Sequence, residues 1–150
     1  MVSFKKDDIS FLIYTGGTTG FPKGVLVTHE ARYSVDKSWT DVLKVTHQER
    51  IFLPMPLFHL LPWHAVIGAF IKGATVILAE AFDPEDSLKL IQRERVTFLL
   101  GVPTMDFYLS AVTWIERYDL SSLRIGITGG AVFPENRFEE VERKLGDLNC

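Results

Sequence analysis

Apolar and polar residues along this chain switch repeatedly between two rhythms. Short apolar, β-rich runs at residues 9–14, 24–27, 51–57, 74–78, 96–100 and 123–128 predict strands. Helix-spaced stretches lie between most of them. Thr28 is a good N-cap with Glu30 in the first turn, which predicts a helix to about residue 45. Residues 46–49 have capping-box spacing and read as a single turn. Pro62 can open a helix that runs to Lys72, with Gly73 in the C′ position. Asp83 and Pro84 supply an N-cap and a first helical residue, Asp86 follows, and Leu88, Ile91 and Val96 sit at helical spacing. Pro103 predicts a helix to residue 117. Pro134 predicts a charged amphipathic helix to residue 145, with Glu139, Glu140 and Glu142 on a solvated face. Pro54 and Pro56 would confine the 51–57 strand to a sheet edge or a bulge, because proline has no N–H to give to a ladder. Trp39, Trp63 and Trp114 read as core or half-buried helix residues.

Strands separated by helical stretches favour crossovers of one hand and a parallel sheet. Their near-continuous apolar character is that of strands covered on both faces. The expectation is an α/β fold, an open, mostly parallel sheet with helices on both faces. No repeat, low-complexity stretch or linker divides the chain, so residues 1–150 read as one unit. A chain of this length buries roughly two-thirds of its unfolded surface. With 47% apolar residues and 11 phenylalanines it has the material for that core, which argues against disorder.

Charge and cysteine content remove several classes of function. The net charge is −3 and the basic residues are scattered, so no nucleic-acid partner is expected. The longest apolar stretch, residues 51–71, contains Pro54, Pro56, Pro62, His59 and His64, which argues against a membrane span. The first eight residues show no apolar signal-peptide core. The one cysteine, Cys150, excludes an internal disulfide framework and fits a reducing, cytoplasmic setting. His47 and His64 lack metal-ligand spacing, so no metal site is expected and no cofactor is needed for folding.

The candidate chemistry lies in residues 14–25, Tyr14-Thr15-Gly16-Gly17-Thr18-Thr19-Gly20-Phe21-Pro22-Lys23-Gly24-Val25. Glycines let the backbone turn tightly and aim several N–H groups at one point, a concavity suited to anions. The threonines add hydroxyl donors and Lys23 adds a point charge. These are the parts a polyphosphate site needs. The spacing is not that of a Walker A loop, because Phe21 stands five residues after Gly16 and Gly24 follows Lys23. Nor is it the dinucleotide pattern of three spaced glycines opening a helix. A plain glycine-rich surface turn would not require threonines, proline and lysine in this fixed order.

That order resembles the phosphate-binding signature of the adenylate-forming superfamily: acyl-CoA and aryl-CoA synthetases, luciferases and peptide-synthetase adenylation domains. Its pattern is Tyr-Thr-Ser-Gly-Thr-Thr-Gly-x-Pro-Lys-Gly, and Gly17 stands where serine is usual. The resemblance implies that Thr15, Gly16, Gly17, Thr18, Thr19, Gly20 and Lys23 hold the ATP phosphates and the departing pyrophosphate. Residues 54–59, Pro-Met-Pro-Leu-Phe-His, are similar to a second signature, which implies that Phe58 and His59 line the acid pocket; Pro62 stands where glycine is frequent. The Gly-Gly-Ala of residues 129–131 resembles a third, implying that Gly130 and Ala131 border the adenine. A simple strand-to-helix turn ahead of Pro134 would explain the same residues. Residues 101–104 resemble a further turn that brings Thr104 near the acid, and His29 is family-like at a helix start, with a structural role.

The resemblance runs from residue 7 to about residue 146. It implies the central part of the large N-terminal domain of an ATP-dependent acid–CoA ligase. Such an enzyme activates a carboxylic acid as an acyl-adenylate and passes it to CoA, assisted by Mg²⁺. The composition of residues 56–63 leans toward an apolar or aromatic acid. No catalytic residue is assigned within the chain, since the adenine and magnesium segment, the ribose aspartate, the hinge and the catalytic lysine are expected elsewhere. The isolated chain is therefore expected to be inactive and to self-associate through apolar surface. A non-catalytic nucleotide-binding fragment is the alternative, as is adenylation of the luciferase or peptide-synthetase type.

Overall fold

The computed structural model describes residues 3–16, 20–133 and 135–145, the side chains of residues 135 and 136 excepted. Gly17, Thr18, Thr19, Pro134 and Cys150 lie outside the described residues. Two strands, β1 (Ile9–Thr15) and β2 (Lys23–Thr28), pair antiparallel with Tyr14 opposite Gly24 and Thr15 opposite Lys23. The chain then enters α1 (His29–Val42), where the Thr28 hydroxyl caps the Ala31 N–H at 3.2 Å and Glu30 occupies the first turn. After it come β3 (Arg50–Leu53), α2 (Leu60–Lys72), β4 (Thr75–Leu78), α3 (Pro84–Glu94), β5 (Phe98–Gly101), α4 (Pro103–Ser110), a 3₁₀ turn (Ile115–Arg117), β6 (Ile125–Thr128) and α5 (Glu135–Leu145).

β3 to β6 form one sheet in the order β4-β3-β5-β6, with every pairing parallel. Successive residues of β3 serve opposite faces, as the two-residue repeat of a strand requires. Ile51 and Leu53 join Phe98, Leu100 and Ile125 in a core under α1 and α2. Phe52 joins Leu99 in a second core under α3, α4 and α5. Helices thus cover both faces of a parallel sheet, and the antiparallel hairpin packs outside it.

Several boundaries depart from the expectation. The 51–57 strand stops at Leu53 and lies in the middle of the sheet, not at an edge. Pro54 and Pro56 fall just beyond its last ladder bond, where a missing N–H has no consequence. α2 starts two residues before Pro62, which still lies in the first turn, where N–H groups have no helical partner. The helix opened by Pro103 ends at Ser110, because β-branched Val112 and Thr113 follow and Trp114 adopts φ 64°. Trp114 is consequently 57% exposed, beneath the Arg117 guanidinium at 4.8 Å, and is not a core residue. α1 ends at Val42, short of residue 45. Val96 is fully buried beside Ile91, yet it lies past the helix end, after Arg95 at φ 50°. The turn at residues 46–49 forms, but Glu49 does not close a capping box. It is buried, accepting from the Thr97 hydroxyl and from Arg124 Nη2 at the N-terminal edge of the sheet.

Candidate functional site

The strand order defines where a ligand can enter. From β3 the chain moves to β4 through α2, on one face; from β5 it moves to β6 through α4, chiefly on the other. The connections therefore diverge between the adjacent C-terminal ends of β3 and β5. A crevice opens at such a switch point, the usual ligand position in open α/β sheets. The 54–59 and 101–104 turns lie on its two sides, and the 129–131 turn follows β6 next to them.

These turns touch one another. The Gly129 N–H donates to Gly101 O at 3.2 Å. A Cβ at Gly129 would meet Leu61 Cδ2, at the start of α2, at 3.7 Å; one at Gly130 would meet Val102 Cγ1 at 3.8 Å. Gly130 has φ +84°, a left-handed conformation that glycine adopts without steric cost. Phe58 and His59 stand at the crevice with their ring centroids 4.4 Å apart, and both are exposed. His59 precedes α2 without capping it and is not a satisfied core histidine. Thr104 and Ala131 are exposed at the same edge.

The described flanks of the glycine-rich stretch adjoin the β1–β2 hairpin, Gly16 just after β1 and Gly20 ahead of β2. The stretch is closed at its base by the Thr15 hydroxyl, which donates to Lys23 O at 3.4 Å. Added Cβ atoms at Gly16 and Gly20 would meet nothing within 4 Å, so the loop borders open space on its described flanks. Lys23 is exposed and forms no ion pair among the described residues. A free ammonium beside open glycine backbone fits a polyphosphate. Gly17, Thr18 and Thr19, at the centre of the proposed cradle, fall in the undescribed part. Phe11 of β1 packs edge-on against Trp63 of α2, ring centroids 5.1 Å apart, and this contact anchors the hairpin to the helix that follows His59. Trp63 is half-buried and donates Nε1–H to Leu57 O at 2.5 Å.

Two polar features at the site escaped the sequence. Asp36 is completely buried in α1, bound by Arg32 Nε at 2.5 Å and Nη2 at 2.7 Å, and by His64 Nδ1 of α2 at 2.6 Å. The Arg32–Asp36 spacing of four residues was a legible signal; the His64 contact was not. Asp106, in the first turn of α4, is only 7% exposed. Its Oδ1 would lie 3.2 Å from a Cβ at Gly101. Burial pushes its carboxyl up to about 6, and the nearby Thr128 hydroxyl pulls the other way without closing a hydrogen bond in this conformation. Among the described residues no group of three or more His, Cys, Asp or Glu could hold a metal, and no helix is long and apolar enough to cross a membrane.

Known proteins are similar to this chain in sequence and in fold. The long-chain-fatty-acid–CoA ligase FadD13 of Mycobacterium tuberculosis is 39% identical over 129 residues, 86% of this chain and 26% of that protein. Feruloyl-CoA synthase of Amycolatopsis sp is 41% identical over 132 residues, 85% of this chain and 26% of the relative. The chain thus spans about a quarter of the length of the curated relatives it matches. The inhibitor-bound N-terminal domain of FACL13 from Mycobacterium tuberculosis superposes with a TM-score of 0.89 at 36% identity, covering 96% of this chain and 36% of that one. The family described as AMP-binding enzyme matches residues 1–150. With that match over its whole length, the chain belongs to the AMP-binding enzyme family.

Proposed function

We infer that these residues are the central part of the large N-terminal domain of an AMP-forming acid–CoA ligase. The observation that carries this is Lys23, without an ion pair among the described residues, near the open backbone at Gly16 and Gly20, in a chain whose relatives include acid–CoA ligases. The chemical difficulty is charge, since a carboxylate must approach the α-phosphorus of a polyanion. Backbone N–H groups of residues 16–20, the hydroxyls of Thr15, Thr18 and Thr19, and the Lys23 ammonium neutralise the β- and γ-phosphates. They stabilise pyrophosphate as it leaves, an electrostatic contribution already organised before reaction. Bound Mg²⁺ would supply further charge neutralisation on the phosphates. Phe58, His59 and Thr104 flank the carboxylate in the crevice, and Gly130 and Ala131 border the adenine. The carboxylate oxygen bonds to the α-phosphorus as the bond to the bridging oxygen breaks; CoA thiol then takes the acyl group and releases AMP.

The 150 residues alone bind ATP weakly and do not turn over in this reading, because the segment expected to hold adenine together with magnesium, the ribose aspartate and the transfer lysine are not among them. The test is ATP–pyrophosphate exchange by the complete ligase over a panel of acids. Lys23→Ala should lower the exchange rate on the order of 10²-fold, the loss that follows removal of one transition-state donor. Exchange at an undiminished rate in that variant, or none with any acid in the parent, sinks the assignment.

A further inference from the structure

Trp63 of α2 touches both halves of the proposed site at once. Its indole Nε1–H donates to Leu57 O at 2.5 Å, just ahead of Phe58 and His59. The 54–59 turn has a long bond of its own, His59 N–H to Pro56 O at 3.3 Å, so the indole is the firmer tie. The same indole meets Phe11 of β1 edge-on, ring centroids 5.1 Å apart. Phe11 and Thr15 share β1, the strand that leads into the glycine-rich stretch. Tryptophan suits such a place, since one rigid ring offers a broad apolar surface and a single polar N–H.

Phe11 is held by a second group. The Arg32 guanidinium of α1 lies over its ring, 5.5 Å from the centroid. Arg32 is itself buried and donates twice to buried Asp36, at 2.5 and 2.7 Å. Asp36 Oδ1 lies 2.6 Å from Nδ1 of His64, the residue next to Trp63. These contacts close a ring that runs from Trp63 to Phe11, Arg32, Asp36 and His64, and returns to Trp63 through the backbone. β1, α1 and α2 are fixed to one another by it. A shift of Phe11 against α2 must break its contacts with both Trp63 and Arg32.

Building on the acid-ligase reading of the crevice, we propose that Trp63 is a positioning residue that sets the acid-side turn at a fixed distance from the β1–β2 hairpin. Attack of a carboxylate on the α-phosphorus needs both reactants held in one geometry, and ~1 Å of misplacement costs up to ~10²-fold in rate. Leu57 O and Phe11 are gripped by the same indole, so neither seat moves without the other. Phe11 and Arg32 act through Trp63 in this scheme and touch neither substrate.

The test uses the complete ligase, with kcat and KM for ATP and for the acid read by ATP–pyrophosphate exchange and thermal unfolding followed beside them. Trp63→Phe keeps a ring against Phe11 but loses the bond to Leu57 O. It should lower kcat and kcat/KM by the same factor, on the order of 10-fold, with both KM values unchanged, the pattern of an interaction realised only in the transition state. Phe11→Leu cuts the hairpin side of the link and should do the same; it also serves if the tryptophan variant does not fold. The double variant should lose no more than the worse single one, because both break one link. An undiminished kcat in either folded variant, with only a lower melting temperature, makes the ring a structural anchor and overturns the proposal. Losses that multiply in the double variant overturn it too. Both results leave the ligase reading standing, whereas absence of exchange with every acid overturns that reading and this proposal with it.

Discussion

Asp106 shows what a single residue can contribute to pH dependence at this site. Its carboxyl titrates at about 6 in the fold, against an ordinary value of 3.8, because burial opposes the charged form. The folded state therefore holds the proton more tightly than the unfolded chain between those two values. Stability falls as pH rises through that window and the penalty is complete above it, about 3 kcal/mol at most from the size of the shift. Asp106→Asn removes the charge with little change of shape. It should raise the melting temperature at pH 8, and the gain should vanish near pH 4, where wild-type Asp106 is already protonated; thermal unfolding at the two pH values measures both. An equal gain at both would show that the effect is packing, not ionisation. Single residues also mark how far the sequence could be read. The candidate phosphate loop could be singled out because its proposed chemistry lies in local order, glycines, threonines and a lysine within ten residues. The partners of Asp106 and His64 come together only through the sheet and the α1–α2 contact: Gly101 and Thr128 belong to different strands, and Asp36 lies 28 residues from His64. No local pattern announces such pairs.

At the level of elements, the meeting of α1 and α2 is the tightest helix contact near the site. A Cβ on Gly68 would stand 2.6 Å from Thr40 Cγ2 and 2.9 Å from Trp39 Cζ2, distances that real packing does not allow. The ends of the same helices are tied by Asp41, which takes hydrogen bonds from Lys37 and Lys72; those bonds hold its carboxyl down to about 2. Alanine at Gly68 would gain about 1 kcal/mol of helix propensity. Overpacking costs about 1–3 kcal/mol, and here the opposing atoms belong to a β-branched side chain and an indole, neither of which can swing away. Gly68→Ala should therefore destabilise the fold, seen as a lower denaturant midpoint with an unchanged slope. A higher midpoint would mean that α1 shifts freely. The starts of helices were legible where a cap residue is specific, as at Thr28 and Asp83. Their ends were less so, because Lys44 and Arg95 take the left-handed turn usually given to glycine. In both cases the next residue, Val45 or Val96, is buried and its N–H returns to Thr40 O or Ile91 O. Tertiary burial fixes those termini, and intrinsic preference does not.

For the molecule as a whole, the parallel sheet was readable from the alternation of apolar runs and helical stretches, whereas the separation of β1 and β2 into their own hairpin was not. Apolar strands look alike whether their neighbours lie in one sheet or two. That separation has a physical consequence. One side of the hairpin meets α2 through Phe11 and Trp63. On the other side Leu12 and Leu26 face each other across the strands, 53% and 63% exposed, with Tyr14 beside them. Both hairpin edges also lack a neighbouring strand within the described residues. Two-stranded ribbons are marginal in water, and unpaired apolar edges are templates for association. We therefore expect the purified 150-residue chain to gain mass with concentration in light scattering. Placing opposite charges at the facing pair, Leu12→Lys with Leu26→Glu, keeps a favourable cross-strand contact while removing the apolar face. That double variant should scatter as a monomer over the same range. A wild-type chain that stays monomeric throughout would show that the hairpin face is too small or too twisted to drive association. If instead the charged variant associates as strongly as the wild type, the driving surface lies elsewhere, and Val42 and Phe70, exposed on α1 and α2, become the next positions to change.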